Sequence, residues 1–120
     1  MPRIYKPYIP QTIGEIIDKL GWMMLYSPKF QEENDPFPGR DIDTTFFSLR
    51  EGLKNVRKKV GEERYAMLIA MSDRMRAHFE ADPESKTGDA QEGRDLIAKM
   101  EAMLDDLWRL ESEYTGQNDN

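Results

Sequence analysis

Six apolar residues, Ile42, Phe46, Leu49, Leu53, Val56 and Val60, follow one another at alternating steps of four and three. That rhythm lines them up along one stripe of an α-helix, and it conflicts with the two-residue period of a strand. It predicts a helix over about 43–60. Asp41 or Asp43 is placed to cap its start, where an acid suits the helix dipole. Arg57, Lys58 and Lys59 crowd the last turn, where cations are favoured, and Gly61 stands where a helix-ending C′ glycine belongs.

A stripe of this kind is stable only against other apolar faces, and the rest of the chain supplies them. Ile13, Ile16, Ile17, Leu20, Met23 and Met24 mark a helix over about 12–26. Thr12 and Glu15 have the spacing of a capping box, and Pro28 ends the element. Gly14 and Gly21 weaken this helix, as glycines that permit close helix approach often do. Tyr65, Leu68, Ile69, Met75 and Phe79 mark a helix over about 62–80, broadened by Met67 and Met71 and stopped by Asp82-Pro83. It follows the seam-bearing helix almost without a linker, so the two form an antiparallel hairpin or a sharp corner. Ala90, Leu96, Ile97, Met100, Leu104, Leu107 and Leu110 mark a last helix from about Asp89, capped by Thr87, to Tyr114. Residues 115–120 are polar and read as a frayed tail. Met1–Pro10 holds three prolines and reads as an extended arm laid across the helices. No strand pattern competes. The expected fold is therefore a single all-α domain over 1–120, either a four-helix bundle or an irregular four-helix domain with an extended N-terminal arm.

A chain of 120 residues buries roughly two-thirds of its extended surface, enough for a core without covalent staples. The absence of cysteine excludes disulfides and thiolate metal sites, and points to a reducing, cytoplasmic setting. Met1–Pro10 has no apolar run behind its basic residues, so it does not read as a signal peptide. Apolar runs such as Ala66–Met71 fall far short of the roughly 20 residues a membrane span needs. Methionine occurs eight times, mostly on the last two helices; core filling is the simpler use, and an adaptable groove the other.

The sequence advertises no catalytic or metal site. The single histidine, His78, has Arg74 one turn before it and Asp82 one turn after, but no ligand-type residue at Met75 or Ala81. The carboxylate pairs Glu62-Glu63 and Asp105-Asp106 are adjacent on helices and diverge by about 100°. Glu101 and Asp105 lie one turn apart and are the pair best placed to share an ion. Thr44, Thr45, Ser48 and Ser72 have no histidine near them in sequence. The string Glu84–Gly88 lacks the glycine spacing of a phosphate loop. The expectation is no catalytic residue, no cofactor and no metal.

Charge is the remaining signal. Residues 1–79 carry 13 basic and 11 acidic side chains; residues 80–120 carry 4 and 12. An acidic final third disfavours nucleic acid as a partner and suits a protein with a basic surface. A basic patch on the second helix, Arg50, Lys54, Arg57 and Lys58, also fits intramolecular pairing with the carboxylates of the last helix. The loop over 27–40 holds Phe30 and Phe37 among three prolines and several charges. Those rings either pin the loop to the core or are offered to a partner. Glu101, Asp105, Asp106, Phe30 and Phe37 are thus the candidate partner-binding residues.

The run VGEERYAMLIAMSDRMRAHFEADP over 60–83, followed by GDAQEGRDLIAKME over 88–101, resembles small helical bacterial toxin-immunity proteins. These include the ones paired with contact-dependent growth inhibition toxins. The resemblance implies a cytoplasmic inhibitor of a toxin such as a nuclease, without assigning any binding residue. The alternative is a self-associating helical adaptor or structural protein, with the heptad seam and the long last helix driving a homodimer.

Overall fold

The computed structural model describes residues 6–31 and 40–118, those from 112 onward by backbone alone. Among them are α1 (Ile13–Tyr26), α2 (Ile42–Asn55), α3 (Arg57–Val60), α4 (Glu62–Ala81) and α5 (Asp89–Asn118), and no strand. The all-α reading holds.

The four long helices form a ring in which α1 packs on α2, α2 on α4, α4 on α5, and α5 back on α1. Neighbours run antiparallel. Arg94 on the first part of α5 reaches Ser27 at the end of α1, while Trp108 on its last part lies over Gly14 at the start of α1. Across the α2–α4 seam, Asp43 pairs with Arg76 and Arg50 with Asp73. The result is an up-down-up-down bundle whose axis is filled by Ile16, Leu20, Leu49, Leu53, Leu68, Met75, Ile97, Met100 and Leu104.

The helix expected over 43–60 is broken at Val56, so five helical segments stand where four were expected. Val56 has φ −104° and ψ 7°, and its N–H bonds to the Leu53 carbonyl three residues back at 3.2 Å. That tightened turn re-aims the chain and keeps both Val56 and Val60 buried. Beside the break, Asn55 Nδ2 donates to the Pro10 carbonyl at 2.9 Å. Ser48 Oγ donates to the Tyr8 carbonyl at 2.6 Å, so the described part of the arm, residues 6–10, runs extended across α2. Gly52 makes room for it: a Cβ there would lie 3.0 Å from the Pro10 ring.

Caps follow the sequence with two changes. Thr12 caps α1 through Glu15 N–H, but Glu15 reaches back to the Gln11 N–H at 2.8 Å instead of to Thr12, and it also accepts from the Tyr8 hydroxyl. Asp41 and Thr44 complete a full capping box on α2. Gly61, at φ 87°, closes α3 with its N–H on the Arg57 carbonyl. The backbone of α5 stays helical to Asn118, past the expected end at Tyr114.

Phe30 takes the core alternative of the two that the sequence leaves open. It was a candidate partner contact, and it is completely buried. Its ring meets Phe46 and Phe79 edge-on, with centroids 5.7 and 5.2 Å away, and stacks 6.3 Å from Trp22. An aromatic side chain on a short turn after α1 removes more apolar surface from water by turning inward than any exposed pose allows. Phe37 lies outside the described residues.

Candidate functional site

Helical spacing splits the acidic candidates on α5 between two flanks. Glu101, Asp105 and Trp108, at steps of four and three, share the flank that faces α1, while Asp106 and Leu110 turn towards the far side. Glu101 and Asp105 are half-buried and Asp106 is exposed. Burial pushes the Glu101 carboxyl above the usual glutamate range. Asp105 pairs with Arg109 at 3.1 Å, one turn on. Trp108 is 46% exposed, yet it is braced from below: its Nε1 would stand 3.6 Å from a Cβ on Gly14. The indole thus lies against α1 at Gly14 while about half of the side chain stays open to solvent.

The basic residues of α2 and α3 are drawn into pairs within the molecule. Arg50 bonds Asp73, Arg57 bonds Glu62 at 2.7 Å, Lys54 approaches Glu51 at 3.4 Å, and Lys59 reaches Glu111 on α5 at 3.1 Å. Such exposed pairs add little stability, but they set an acid beside each of these cations and so weaken the positive footprint of this edge.

A connected polar cluster lies where α4 hands over to α5, and it contains the one histidine. His78 Nδ1 is 2.9 Å from Asp89 Oδ1, and its Nε2 is 3.4 Å from Glu92 Oε2. Thr87 Oγ1 donates to the other Asp89 oxygen at 3.1 Å. His78 and Thr87 together hold the Asp89 carboxyl below the usual aspartate range. Along its own helix His78 has only Arg74 and Asp82 one turn away, with no ligand-type residue at Met75 or Ala81. The partners come from the next helix, which the Asp82–Gly88 turn folds back alongside. Two acids spaced i, i+3 at the start of a helix that follows a histidine-bearing helix are the only trace in the sequence.

That turn is set by Asp82, which is 2% exposed. Its Oδ1 accepts the N–H groups of Lys86 at 2.6 Å and Thr87 at 3.1 Å, and its Oδ2 accepts that of Ala90 at 3.0 Å. Thr87, the expected cap of α5, contacts the Asp89 N–H only at 3.4 Å; the stronger cap comes from Asp82. The bond from Ala90, with those from Lys86 and Thr87, holds the Asp82 carboxyl below the usual aspartate range. A carboxyl depressed on folding stabilises the fold above its unfolded pKa, about 3.9, and loses that contribution as pH falls through this value towards the folded one. Asp82→Asn, which sets an amide donor against backbone donors, should lower Tm by roughly 8 °C at pH 7. The gap to the wild type should shrink below pH 4. A gap that stays constant from pH 7 to pH 2 in thermal melts would show that the carboxylate charge is not what holds the turn.

A separate cleft of about 350 Å³ opens beside the arm, lined among others by Tyr8, Glu15, Lys19, Trp22 and Arg40. Lys19 Nζ and the Arg40 guanidinium each sit 5.2 Å from the Trp22 ring centre. Burial, helped by the nearby Arg40 charge, lowers the Lys19 pKa to about 8. No protein-family model, curated protein or solved structure matches this chain.

Proposed function

We propose that this chain is a non-catalytic, protein-binding inhibitor that docks a partner with a basic surface through the α1-facing flank of α5. A toxin nuclease neutralised by an immunity protein is the specific case. The observation that carries the reading is Trp108, a braced and half-exposed indole beside the carboxylates of Glu101 and Asp105. Interface energy concentrates in such aromatic anchors, while neighbouring acids steer a basic partner and fix its register. The net charge of −6, concentrated after residue 79, supports the same choice of partner. Among the described residues, both ring nitrogens of His78 face carboxylates and no hydroxyl nucleophile, which also favours a non-catalytic role.

The test is capture from the native host at low salt, identification of the protein held, and titration of that protein made recombinantly. Trp108→Ala should weaken binding at least ~10-fold. Reversing Glu101, Asp105 and Asp106 to lysine together should weaken it on the order of 100-fold at low salt, with a smaller loss at high salt. Asp106→Lys alone, on the other flank, should do much less. An equimolar amount of the chain should silence the partner's activity. Unchanged affinity in both the tryptophan and the triple variant removes this surface from the reading, and a partner that stays active when bound removes the inhibitor.

A further inference from the structure

We propose that His78 and Glu92, with Asp89 behind the histidine, form a binding site for a divalent first-row transition ion such as Zn²⁺, clipping the end of α4 to the start of α5. The inference is independent of the protein-binding reading.

Three features of the cluster point the same way. The first is the spacing of the ligand atoms. His78 Nε2 and Glu92 Oε2 stand 3.4 Å apart. Two ligands at about 2.0–2.1 Å from a tetrahedral ion lie roughly 3.3–3.4 Å from each other, so the pair already spans one edge of that tetrahedron. The second is the support behind the imidazole. Asp89 Oδ1 lies 2.9 Å from Nδ1 and favours a proton there, so Nε2, on the Glu92 side, is the nitrogen left to take an ion. A carboxylate bonded to the far nitrogen of a histidine is the usual backing of a metal-bound imidazole, because it fixes the tautomer and raises ligand basicity. Thr87 holds the other oxygen of Asp89, so the backing group is itself oriented. The third is rigidity: His78 and Glu92 sit on regular helix, and the turn between their helices is pinned by the buried Asp82.

The choice of ion follows from the ligands. One imidazole and one carboxylate suit Zn²⁺ or Ni²⁺, with water completing the shell; Mg²⁺ and Ca²⁺ require more oxygen donors. The positive end of the α5 dipole opposes a cation here. Two carboxylates outweigh a half-charge, and the net charge they set at the site stays negative. All three residues fall within a ligand-to-ligand distance of 4.8 Å, and Glu92 is 67% exposed, which leaves an entry path.

His78 is the chain's single histidine, so its ring signals are unambiguous. Long-range ¹H–¹⁵N spectra should show the Nδ1-protonated tautomer in the wild type and a large shift of Nε2 on adding Zn²⁺. Calorimetric titration should give one saturable Zn²⁺ site. Zn²⁺ at 100 times its Kd should raise Tm by roughly 10 °C. His78→Phe and Glu92→Gln should each abolish saturable binding; the exposed Glu92 keeps the test independent of folding. Asp89→Asn, which removes a positioning residue, should weaken binding roughly 10-fold and mix the tautomers. The proposal is overturned by any of three results. These are no Zn²⁺ binding below 1 mM, wild-type affinity in Glu92→Gln or His78→Phe, or saturation by Mg²⁺ at the same concentrations.

Discussion

Replacing Phe30 with alanine should cost about 3–5 kcal/mol of folding free energy and lower Tm by roughly 15 °C. The ring is fully buried and is the hub on which Trp22, Phe46 and Phe79 converge. Those three come from α1, α2 and α4, so one side chain ties together three of the four long helices. Truncation removes the transfer free energy of a phenyl ring and the edge-to-face contacts, and leaves a cavity that rigid helices cannot close. The backbone sharpens the expectation. Phe30 has φ 59°, in the left-handed region where a side chain costs roughly 1–2 kcal/mol. Packing must therefore exceed that cost for the conformation to persist. Alanine retains the strain and loses the packing. Glycine loses the packing but relieves the strain, so Phe30→Gly should be no less stable than Phe30→Ala, the reverse of their ranking in ordinary structure. Urea unfolding at constant slope is the measurement. A loss below about 1 kcal/mol in Phe30→Ala would mean that the ring does not hold the turn to the core.

Phe30 also shows where sequence and structure part company. Helical periodicity reports which face of an element is apolar, and that was enough to place the four long helices and most of the core. It says nothing about a single aromatic outside any element, whose fate depends on whether distant helices leave a ring-sized space. Phe30 stood equally for a core residue and a surface anchor until Phe46 and Phe79 were placed around it. The break at Val56 was hidden for a related reason. Val56 keeps the seam spacing, and no proline or glycine marks the tightened turn beside the arm. The polar cluster was hidden by topology. His78, Asp89 and Glu92 meet only because Asp82 folds the chain back with bonds to residues four, five and eight positions ahead. Charge, by contrast, was legible in bulk and misleading in detail. The acidic final third is real, but Asp105 and Asp106 point to different flanks, and several of its acids are occupied by Lys59, Arg109 and His78.

Two glycines in the helices should respond to substitution in opposite directions. Gly21 is exposed on α1, and a Cβ there meets nothing within 4 Å. Gly21→Ala should stabilise the protein by about 0.5–1 kcal/mol, the helix-propensity difference between the two residues. Gly93 lies in α5 against α4, and a Cβ there would fall 2.6 Å from Cε1 and Cζ of Phe79. The ring cannot yield easily, because it is buried with Phe30 edge-on 5.2 Å away. The same propensity gain is thus set against overpacking of about 1–3 kcal/mol, and overpacking is the larger effect. Gly93→Ala should lose about 1–2 kcal/mol, and Gly93→Val, whose γ-carbons push further into the ring, about 3 kcal/mol. The mechanism predicts its own rescue. Phe79→Leu shortens the obstructing side chain, so combining it with Gly93→Ala should cost at least about 1 kcal/mol less than the two single losses added together. If the two losses simply add, Gly93 is not a space-making residue for Phe79, and the close α4–α5 approach that brings His78 to Asp89 and Glu92 must depend on something else.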